Sequence, residues 1–374
     1  MKILILLNFI FLFIAGTNAQ CPVLITLTTQ NQIDNFSTDY PDCFGLGLSL
    51  TINGENSDIS NLDGLSQLTS LTRFQIYKTN ISDFSGFENI QSITTSFRIL
   101  DNGDLINLEG LSLLQTIGSY LQITQNTELE TLEGISGLEQ VGTNVLIESN
   151  PALQSLSGME NLTTVFQNLE IKNNLQLVSI DALQNLQQVG TISQDQLYIF
   201  NNGSLQDLSG LENLTVINGA LRIRSNASLI SIDALYSLES VSSLVEIRSN
   251  QSLSECAIPF ICENLSNPDL EFVVENNANN CNSTQEIESA CLLSISDNER
   301  NNRITFYPNP VKKNLYLVPN ENHVFEEIVV YSMPGDHILL TDQRIVDISH
   351  VAKGIYLVEV KTNQGTYTRK IVKE

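Results

Sequence analysis

A short run of alternating apolar and polar residues recurs along most of the chain. Its copies are FRILDNGDL from residue 97, LQITQNTEL from 121, VLIESNPAL from 145, LEIKNNLQL from 169, LYIFNNGSL from 197, LRIRSNASL from 221 and VEIRSNQSL from 245. Most copies continue into a version of xSLxGLxxLxxV. The alternation predicts a strand in each copy, with its first and third residues pointing inward and the second and fourth pointing outward.

A column of asparagines sets the period of this repeat. It contains Asn102, Asn126, Asn150, Asn174, Asn202, Asn226 and Asn250. Successive members are 24 residues apart except for one step of 28, whose four extra residues lie within Thr191 to Gln196 and are expected to form a loop. A fixed period of this kind predicts a solenoid, in which neighbouring coils share one core and their strands stack into a parallel sheet.

The asparagine column is expected to be structural. A side chain in the turn after each strand can satisfy backbone groups of its own and the next coil, which would otherwise cost about 1–3 kcal/mol each. Asn202, Asn226 and Asn250 also begin Asn-x-Ser/Thr sequons, but an inward side chain cannot be glycosylated in the folded protein. Asn161 and Asn213 begin sequons outside the column and could accept a glycan in a host with the machinery.

The first 19 residues are typical of a secretory signal peptide. Lys2 is followed by an apolar run, and Thr17 and Ala19 are the small residues of a cleavage site after Ala19. The run is too short for a transmembrane anchor, which is the alternative interpretation. Lipidation of Cys21 is less favoured than a disulfide, because residues 18 to 20 do not fit a lipidation signal. We therefore expect an exported protein.

Six cysteines flank the repeats. They are Cys21 and Cys43 before the repeats, and Cys256, Cys262, Cys281 and Cys291 after them. Export to an oxidising compartment favours disulfides over zinc, since no histidine lies nearby and the spacings match no zinc motif. We expect disulfide caps at residues 20–45 and 254–293, with Cys21 bonded to Cys43. The sequence leaves the connectivity of the last four open and favours Cys256 with Cys281 and Cys262 with Cys291.

Residues 46–253 resemble a known family of repeats. Units of the form NxxLxxLxGLxxLxxVxxxLxI resemble the receptor L domain, a leucine-rich-repeat-like right-handed β-helix of growth-factor receptor ectodomains and bacterial surface proteins. The early copy FQIYKTNIS departs from the pattern and has Thr79 in the asparagine column. The resemblance implies that the repeats bind proteins or glycans and perform no chemistry.

A second resemblance follows a polar linker at residues 294–304. Short alternating strands and turns predict a small Ig-like β-sandwich at residues 305–374, which resembles the C-terminal sorting domain of the type IX secretion system of Bacteroidetes. The resemblance is carried by Tyr307, Pro308, Asn309, Pro310, Gly335, Gly354, Tyr356 and Lys370. It implies recognition by the type IX machinery after passage through the periplasm, and a secreted or surface-attached product. An Ig-like domain with another task is the alternative.

The charge of the chain is concentrated in the repeats and their caps. The net charge is −24, and residues 21–293 hold seven basic residues against thirty-two acidic ones, whereas residues 294–374 hold ten of each. Nucleic acid and anionic membranes are therefore poor partners.

The outward strand positions form two columns that hold five of those seven basic residues. The first column is Gln75, Arg98, Gln122, Leu146, Glu170, Tyr198, Arg222 and Glu246, and the second is Tyr77, Leu100, Thr124, Glu148, Lys172, Phe200, Arg224 and Arg248. Pairing between adjacent strands accounts for Glu148 with Lys172 and for Arg222 with Glu246.

This pairing leaves Arg224 beside Arg248 without an acidic partner, one strand away from Tyr198 and Phe200. The candidate ligand-binding residues are therefore Tyr198, Phe200, Arg222, Arg224 and Arg248. Planar cations recognise carboxylate or sulfate, and aromatic faces pack against a sugar or a side chain, so a glycan or protein ligand is expected. The alternative is a solvated face with cation–π packing.

The sequence predicts no enzyme, metal or cofactor. All three histidines, His323, His337 and His350, lie in the sorting domain, which removes the commonest general base from the repeats. A lyase-like polysaccharide enzyme and a passive surface-layer protein remain the alternative functions. The stretch DNGD at residues 101–104 suggests calcium but lacks further ligands, which favours a turn.

Overall fold

The computed structural model describes residues 21–55, 58–294, 304–319, 324–332, 335–363 and 365–374. The predicted signal peptide and most of the predicted linker lie outside the described residues. The chain divides into two compact units, Met1–Leu292 and Leu293–Glu374. The described part is mainly β, with parallel sheets in the N-terminal unit and antiparallel sheets in the C-terminal unit.

The N-terminal unit alternates longer strands with strands of two residues. Its elements are β1 (Leu24–Leu27), α1 (Gln30–Asp34), α2 (Phe36–Asp39), β2 (Ser49–Asn53), β3 (Ser70–Leu71), β4 (Arg73–Tyr77), β5 (Ser92–Ile93), β6 (Phe97–Leu100), β7 (Thr116–Ile117), β8 (Leu121–Thr124), β9 (Gln140–Val141), β10 (Val145–Glu148), β11 (Thr164–Val165), β12 (Leu169–Lys172), β13 (Gln188–Val189), β14 (Asp195–Phe200), β15 (Val216–Ile217), β16 (Gly219–Arg224), β17 (Ser240–Val241), β18 (Leu244–Arg248), α3 (Pro259–Asn264), β19 (Glu271–Glu275) and α4 (Thr284–Ser294). Short 3-10 helices occur at Asp63–Leu65, Asp181–Leu183 and Asp233–Ser237.

The longer strands form one parallel sheet, which we call the long sheet. Within the described residues it has eleven strands in the order β1-β2-β4-β6-β8-β10-β12-β14-β16-β18-β19. The strands pair without register shifts, so equivalent residues of successive repeats are neighbours, as in Leu169 beside Leu197. In β12, Leu169 and Ile171 are fully buried, whereas the alternate residues Glu170 and Lys172 are partly exposed. The predicted alternation is confirmed in β12, whereas the outward positions Thr124 of β8 and Glu246 of β18 are buried.

The two-residue strands form a second parallel sheet that the sequence analysis does not predict. Its order within the described residues is β17-β15-β13-β11-β9-β7-β5-β3. In β11, Val165 is buried and Thr164 is partly exposed, but two residues are too few for a periodic signal. Residues of both sheets belong to one continuous buried cluster, so each repeat contributes a strand to each side of a shared core.

The long sheet continues into both segments predicted as caps. β1 pairs with β2 before the first predicted repeat, and β19 pairs with β18, with Phe272 beside Val245. The disulfides join Cys21 to Cys43, Cys256 to Cys281 and Cys262 to Cys291. These are the pairs that the sequence favours. The segments at each end therefore supply further strands as well as disulfides.

The loop at the longer repeat consists of the four residues 191–194, which lie within the predicted segment. Asp195 and Gln196 belong to β14 and pair with Gly219 and Ala220, which limits the loop to the residues before them. The Asp195 side chain is buried and accepts hydrogen bonds from the Thr191 and Ile192 backbone N–H groups, at 2.7 and 2.9 Å. The side chain of Asp195 thus closes the loop onto the start of the strand.

The asparagine column forms a continuous hydrogen-bonded ladder. All seven predicted members are fully buried. At Asn126, the backbone N–H and the side-chain Nδ2 both donate to Oδ1 of Asn150, and Nδ2 also donates to the Ile99 carbonyl. Asn277 continues the ladder beyond Asn250 by accepting from its backbone N–H. The column therefore satisfies buried backbone groups in successive repeats, which is the expected structural role.

The residues around the ladder explain the turn that ends each strand. The residue before each predicted ladder asparagine has a positive φ, from +52° at Asn201 to +60° at Gln125 and Ser249. Thr79 takes the ladder position in the early repeat, as predicted, and its N–H and hydroxyl both donate to Oδ1 of Asn102. The threonine side chain is shorter than asparagine, but its hydroxyl lies close enough to Asn102 to complete this end of the ladder.

The glycine of the repeat pattern xSLxGLxxLxxV is required because adjacent repeats pack closely at this position. Gly134 has φ +115°, and a Cβ at this position would lie 1.9 Å from the Leu108 carbonyl oxygen of the preceding repeat. Gly134→Ala is expected to lower the free energy of unfolding by about 2–4 kcal/mol, because it combines backbone strain with a clash. Urea unfolding followed by circular dichroism measures the change.

Gly203→Ala is the matched control for Gly134→Ala. A Cβ at Gly203 would meet no atom within 4 Å, and its φ lies outside the left-handed region. The control is expected to change the free energy of unfolding by about 0.5 kcal/mol or less. Equal effects of the two substitutions would show that contact between repeats does not set the requirement for glycine.

The C-terminal unit contains two antiparallel sheets. Its strands are β20 (Ile304–Tyr307), β21 (Asn314–Pro319), β22 (Phe325–Ser332), β23 (His337–Thr341), β24 (Ile345–Asp347), β25 (Gly354–Thr362) and β26 (Gly365–Lys373). The described strands follow the orders β20-β21-β24 and β23-β22-β25-β26. Leu315 and Val346 of one sheet share a buried cluster with Val330, Val358 and Ile371 of the other.

Candidate binding surface on the long sheet

The candidate ligand-binding residues lie side by side on the outward face of the long sheet. Register places Tyr198 beside Arg222 and Arg222 beside Glu246. In the next outward column, Phe200 is followed by Arg224, Arg248 and Glu275. Strands β14, β16, β18 and β19 therefore bring all five predicted residues together, with two acidic side chains among them.

Glu246 is the centre of this cluster. Only 5% of the residue is exposed, although it points away from the core. Its Oε2 lies 2.7 Å from Nη1 of Arg222, and its Oε1 lies 2.9 Å from Nε of Arg248. Nε of Arg224 lies 3.5 Å from the same Oε1. Three guanidinium groups thus surround one carboxylate, which compensates its burial.

The prediction that Arg224 and Arg248 both lack an acidic partner is wrong. Arg248 also contacts Glu275, with Nη1 3.3 Å from Oε1. Glu275 belongs to β19, which the sequence analysis does not predict as a strand. Arg224 and Arg248 contact Glu246 diagonally from the neighbouring column, because an arginine side chain is long enough to contact a residue that is not directly opposite. The predicted pair of Arg222 with Glu246 is present.

Arg224 differs from the other two arginines in its contacts. Its ion pair with Glu246 is the longest of the three. Nε of Arg224, like Nε of Arg222, is buried without a hydrogen-bond partner among the described residues. The guanidinium carbon lies 6.0 Å from the Tyr198 ring centroid and 5.8 Å from the Phe200 ring centroid. These two rings stack on each other at 5.5 Å and 23°. Arg224 therefore lies against a continuous aromatic surface, with 27% of its side chain exposed.

Acidic side chains flank the aromatic pair on its other side. Nζ of Lys172 lies 2.7 Å from Glu170 and 3.8 Å from Glu148, so the predicted partner Glu148 is the more distant one. Burial alone would lower the pKa of Lys172, but its hydrogen bond to Glu170 and the charges of Glu170 and Glu148 outweigh that effect and raise it. Gln196 donates to Oε1 of Glu170 at 2.7 Å. Lys172 is thus paired with two carboxylates of the protein itself.

A second contact between an arginine and an aromatic ring lies elsewhere on the long sheet. The Arg98 guanidinium carbon lies 5.5 Å from the Tyr120 ring centroid. Burial raises the pKa of Tyr120, although the nearby Arg98 charge acts in the opposite direction. The sequence analysis does not select Tyr120, because this residue immediately precedes β8 and lies outside the two outward columns. Following the outward positions one residue before each strand would have found it.

The predicted turn at residues 101–104 follows β6. Asp101 has φ +54°, and its backbone N–H donates to the Thr124 carbonyl of the next repeat. Across the described ranges of the chain, no group of three or more His, Cys, Asp or Glu side chains is arranged to hold a metal ion. Within the same described ranges, no helix has the length and apolar character needed to cross a membrane.

The residues predicted to carry the sorting resemblance occupy several turns and strands of the C-terminal unit. Tyr307 stacks on Tyr316, and the Tyr356 hydroxyl donates to the Ala352 carbonyl. Pro308 and Pro310 flank Asn309 in an exposed turn after β20, whereas Gly335 and Gly354 have positive φ values. Asn309 accepts from the Val372 N–H and donates to the Lys370 carbonyl. The turn at residues 308–310 is thus held against β26.

These features define a class of protein: stacked parallel repeats with a partly exposed sheet face, followed by an antiparallel C-terminal unit. Residues 139–229 match the family described as Receptor L domain, and residues 305–374 match the family described as Secretion system C-terminal sorting domain. Both resemblances identified in the sequence are confirmed by these matches. No curated protein matches the chain.

The two matched segments assign different roles to the two units. Residues 139–229 include Tyr198, Phe200, Arg222 and Arg224, whereas Arg248 follows the matched segment. The sorting-domain match indicates secretion to the outer cell surface and interaction with the type IX secretion machinery. The receptor L domain match is consistent with a binding protein at that surface.

Proposed function

We propose that the protein is a non-enzymatic binding protein or adhesin of the cell surface, which recognises a glycan or protein ligand on the outward face of the long sheet. In this proposal the repeats wind as a right-handed solenoid of the leucine-rich-repeat type, and the two C-terminal sheets pack as an Ig-like sandwich. The observation that carries the proposal is the cluster of Tyr198, Phe200 and Arg224.

The side chains of this cluster are suited to binding. Tyr, Phe and Arg supply large contact areas, and the rigid rings lose little conformational freedom when a ligand covers them. Glu246 holds Arg222 and Arg248 in place through ion pairs of 2.7 and 2.9 Å. The aromatic pair and Arg224 are therefore supported by an ordered network before the ligand arrives, which reduces the entropic cost of binding.

The side chains available in the N-terminal unit favour binding over catalysis. Residues 21–293 contain no histidine, and their six cysteines are joined in disulfides. Lys172, a cation near the aromatic pair, has a raised pKa and is therefore not suited to act as a general base.

Replacing both Tyr198 and Phe200 with alanine is expected to weaken ligand binding at least tenfold while leaving the fold intact, since both side chains point outward. The ligand is first found by probing glycan and protein arrays with residues 20–374. Affinities of the wild-type and variant proteins are then compared by calorimetry.

The matched control carries Gln75→Ala and Gln122→Ala, at outward positions of β4 and β8. It is expected to bind like the wild-type protein. Unchanged affinity of the aromatic variant for a ligand found on the arrays would place the binding surface elsewhere, with the loop that begins at Thr191 as the next candidate.

A further inference from the structure

We infer that the ligand is a glycan with isolated carboxylate groups, and that one uronic acid residue binds with its carboxylate at Arg224 and its ring on Tyr198 and Phe200. This inference rests on the proposed function and adds the chemical class of the ligand. It follows from the arginine of the cluster that is most weakly paired, from the carboxylates around it, and from the stacked aromatic pair beside it.

Arg224 is the most weakly paired arginine of the cluster, although its side chain is 27% exposed against 33% for Arg222 and 32% for Arg248. Arg222 and Arg248 each have an ion pair of 2.9 Å or less with Glu246, and Arg248 also contacts Glu275. Arg224 has a single ion pair, of 3.5 Å through Nε, and this Nε has no hydrogen-bond partner among the described residues. A contact through Nε leaves the two terminal nitrogens of the guanidinium to form a bidentate pair with a carboxylate.

The surroundings of Arg224 limit how much negative charge a ligand can carry. Partly exposed carboxylates lie on both sides of the aromatic pair, at Glu148 and Glu170 on one side and at Glu275 on the other. Residues 21–293 as a whole have thirty-two acidic residues against seven basic ones. A densely charged polyanion would be repelled by this unit, whereas a ligand with one acid near Arg224 would not.

Hydroxyl groups are the second feature that the surface favours in its ligand. Carboxylates accept hydrogen bonds and donate none when ionised, so Glu148, Glu170 and Glu275 can be satisfied by neutral donors. A sugar presents several hydroxyl donors around one ring. A uronic acid residue therefore combines the single carboxylate that suits Arg224 with the donors that suit its acidic neighbours.

The aromatic pair favours a sugar ring over an acidic peptide. Tyr198 and Phe200 are nearly parallel, stacked rings, and the apolar face of a sugar ring can pack against this partly exposed pair. The fully buried centre of a protein interface is richer in apolar side chains than its rim, so a protein partner would be expected where large apolar side chains are most exposed. The most exposed large apolar residues of the described chain, Val23, Leu24 and Leu46, lie near β1 at the other end of the long sheet.

The inference is tested by titrating residues 20–374 with oligosaccharides that carry a single galacturonate, glucuronate, mannuronate or guluronate residue among neutral sugars. Each probe is paired with its carboxyl-reduced form, which keeps the ring and removes the charge, and a peptide with a single glutamate among neutral residues is included. At least one uronate probe is expected to bind about ten- to hundredfold more tightly than its reduced form, because a charge-assisted bidentate contact is lost.

Arg224→Gln is expected to remove this preference, so that the acidic and reduced probes bind with similar affinity. Gln75→Ala is the control and is expected to keep it. The inference is overturned if no uronate probe binds, if the reduced forms bind equally well to the wild-type protein, or if Arg224→Gln keeps the preference.

The tests separate this inference from the proposed function. Binding of the single-glutamate peptide or of a protein that depends on Tyr198 and Phe200, with no binding of uronates, would overturn the glycan class and retain the sheet-face site. If uronates bind with the same affinity to the wild-type protein, to the aromatic variant and to Arg224→Gln, the proposed site is overturned as well.

Discussion

Replacing Asn150 with alanine is expected to lower the free energy of unfolding by about 3–5 kcal/mol, a large part of the stability of a typical domain. Oδ1 of Asn150 accepts from both the N–H and the Nδ2 of Asn126, and its own Nδ2 donates to the Ile123 and Glu148 carbonyls. Alanine would leave these groups without partners in a fully buried position. Urea unfolding and hydrogen exchange of the neighbouring repeats measure the loss.

Asn185→Ala is the control for Asn150→Ala. Asn185 is exposed, and its Nδ2 donates to the Glu160 carbonyl of the preceding repeat at 2.7 Å. Water can replace this partner, so the expected loss is about 1 kcal/mol or less. If the two asparagine variants lost the same stability, burial of the ladder would not be the source of its contribution.

Deleting residues 305–374 is expected to abolish delivery to the cell surface. The deletion removes the segment that matches the sorting domain, and the truncated protein should accumulate in the periplasm. Surface labelling and fractionation of cells that contain a type IX secretion system measure the distribution. The full-length chain with Gln75→Ala serves as the control and should be displayed normally.

Normal surface display of the truncated protein would contradict the assigned role of residues 305–374. A finer test is Asn309→Ala, because Asn309 contacts the Val372 N–H and the Lys370 carbonyl and so connects its turn to β26. Reduced display of this variant would show that the position of the turn matters for recognition. The N-terminal unit should keep its unfolding transition in both variants, since each unit has its own buried cluster.

The long sheet combines a buried face with an outward face that remains partly exposed. Parallel sheets are commonly covered on both faces, and their strands then consist of nearly continuous apolar runs. In β12, the alternation of Leu169 and Ile171 with Glu170 and Lys172 shows that one face is polar. An exposed parallel sheet presents side chains in straight columns at a spacing of about 4.8 Å, which is suited to extended ligands.

The features that recur in every repeat can be predicted from the sequence. The inward apolar residues, the asparagine ladder and the position of Thr79 follow from the period, because equivalent residues of stacked repeats must occupy equivalent environments. The pairs of cysteines are local enough to be favoured as well, and Cys256 with Cys281 and Cys262 with Cys291 are both found. The sorting segment is recognisable from its turns and motifs.

Features of single residues depend on the tertiary structure. β19 lies outside the regular repeat, yet it places Glu275 beside Arg248 because the exposed edge of β18 accepts another strand. Arg248 and Arg224 also reach Glu246 diagonally, and Arg98 reaches Tyr120. The repeat period identifies which backbone positions are neighbours, but a long side chain can contact any of several neighbouring residues. The partner that it contacts depends on charge, burial and space in three dimensions, so the sequence determined the sheet and its columns, and only the tertiary structure decided which arginine pairs most weakly with Glu246.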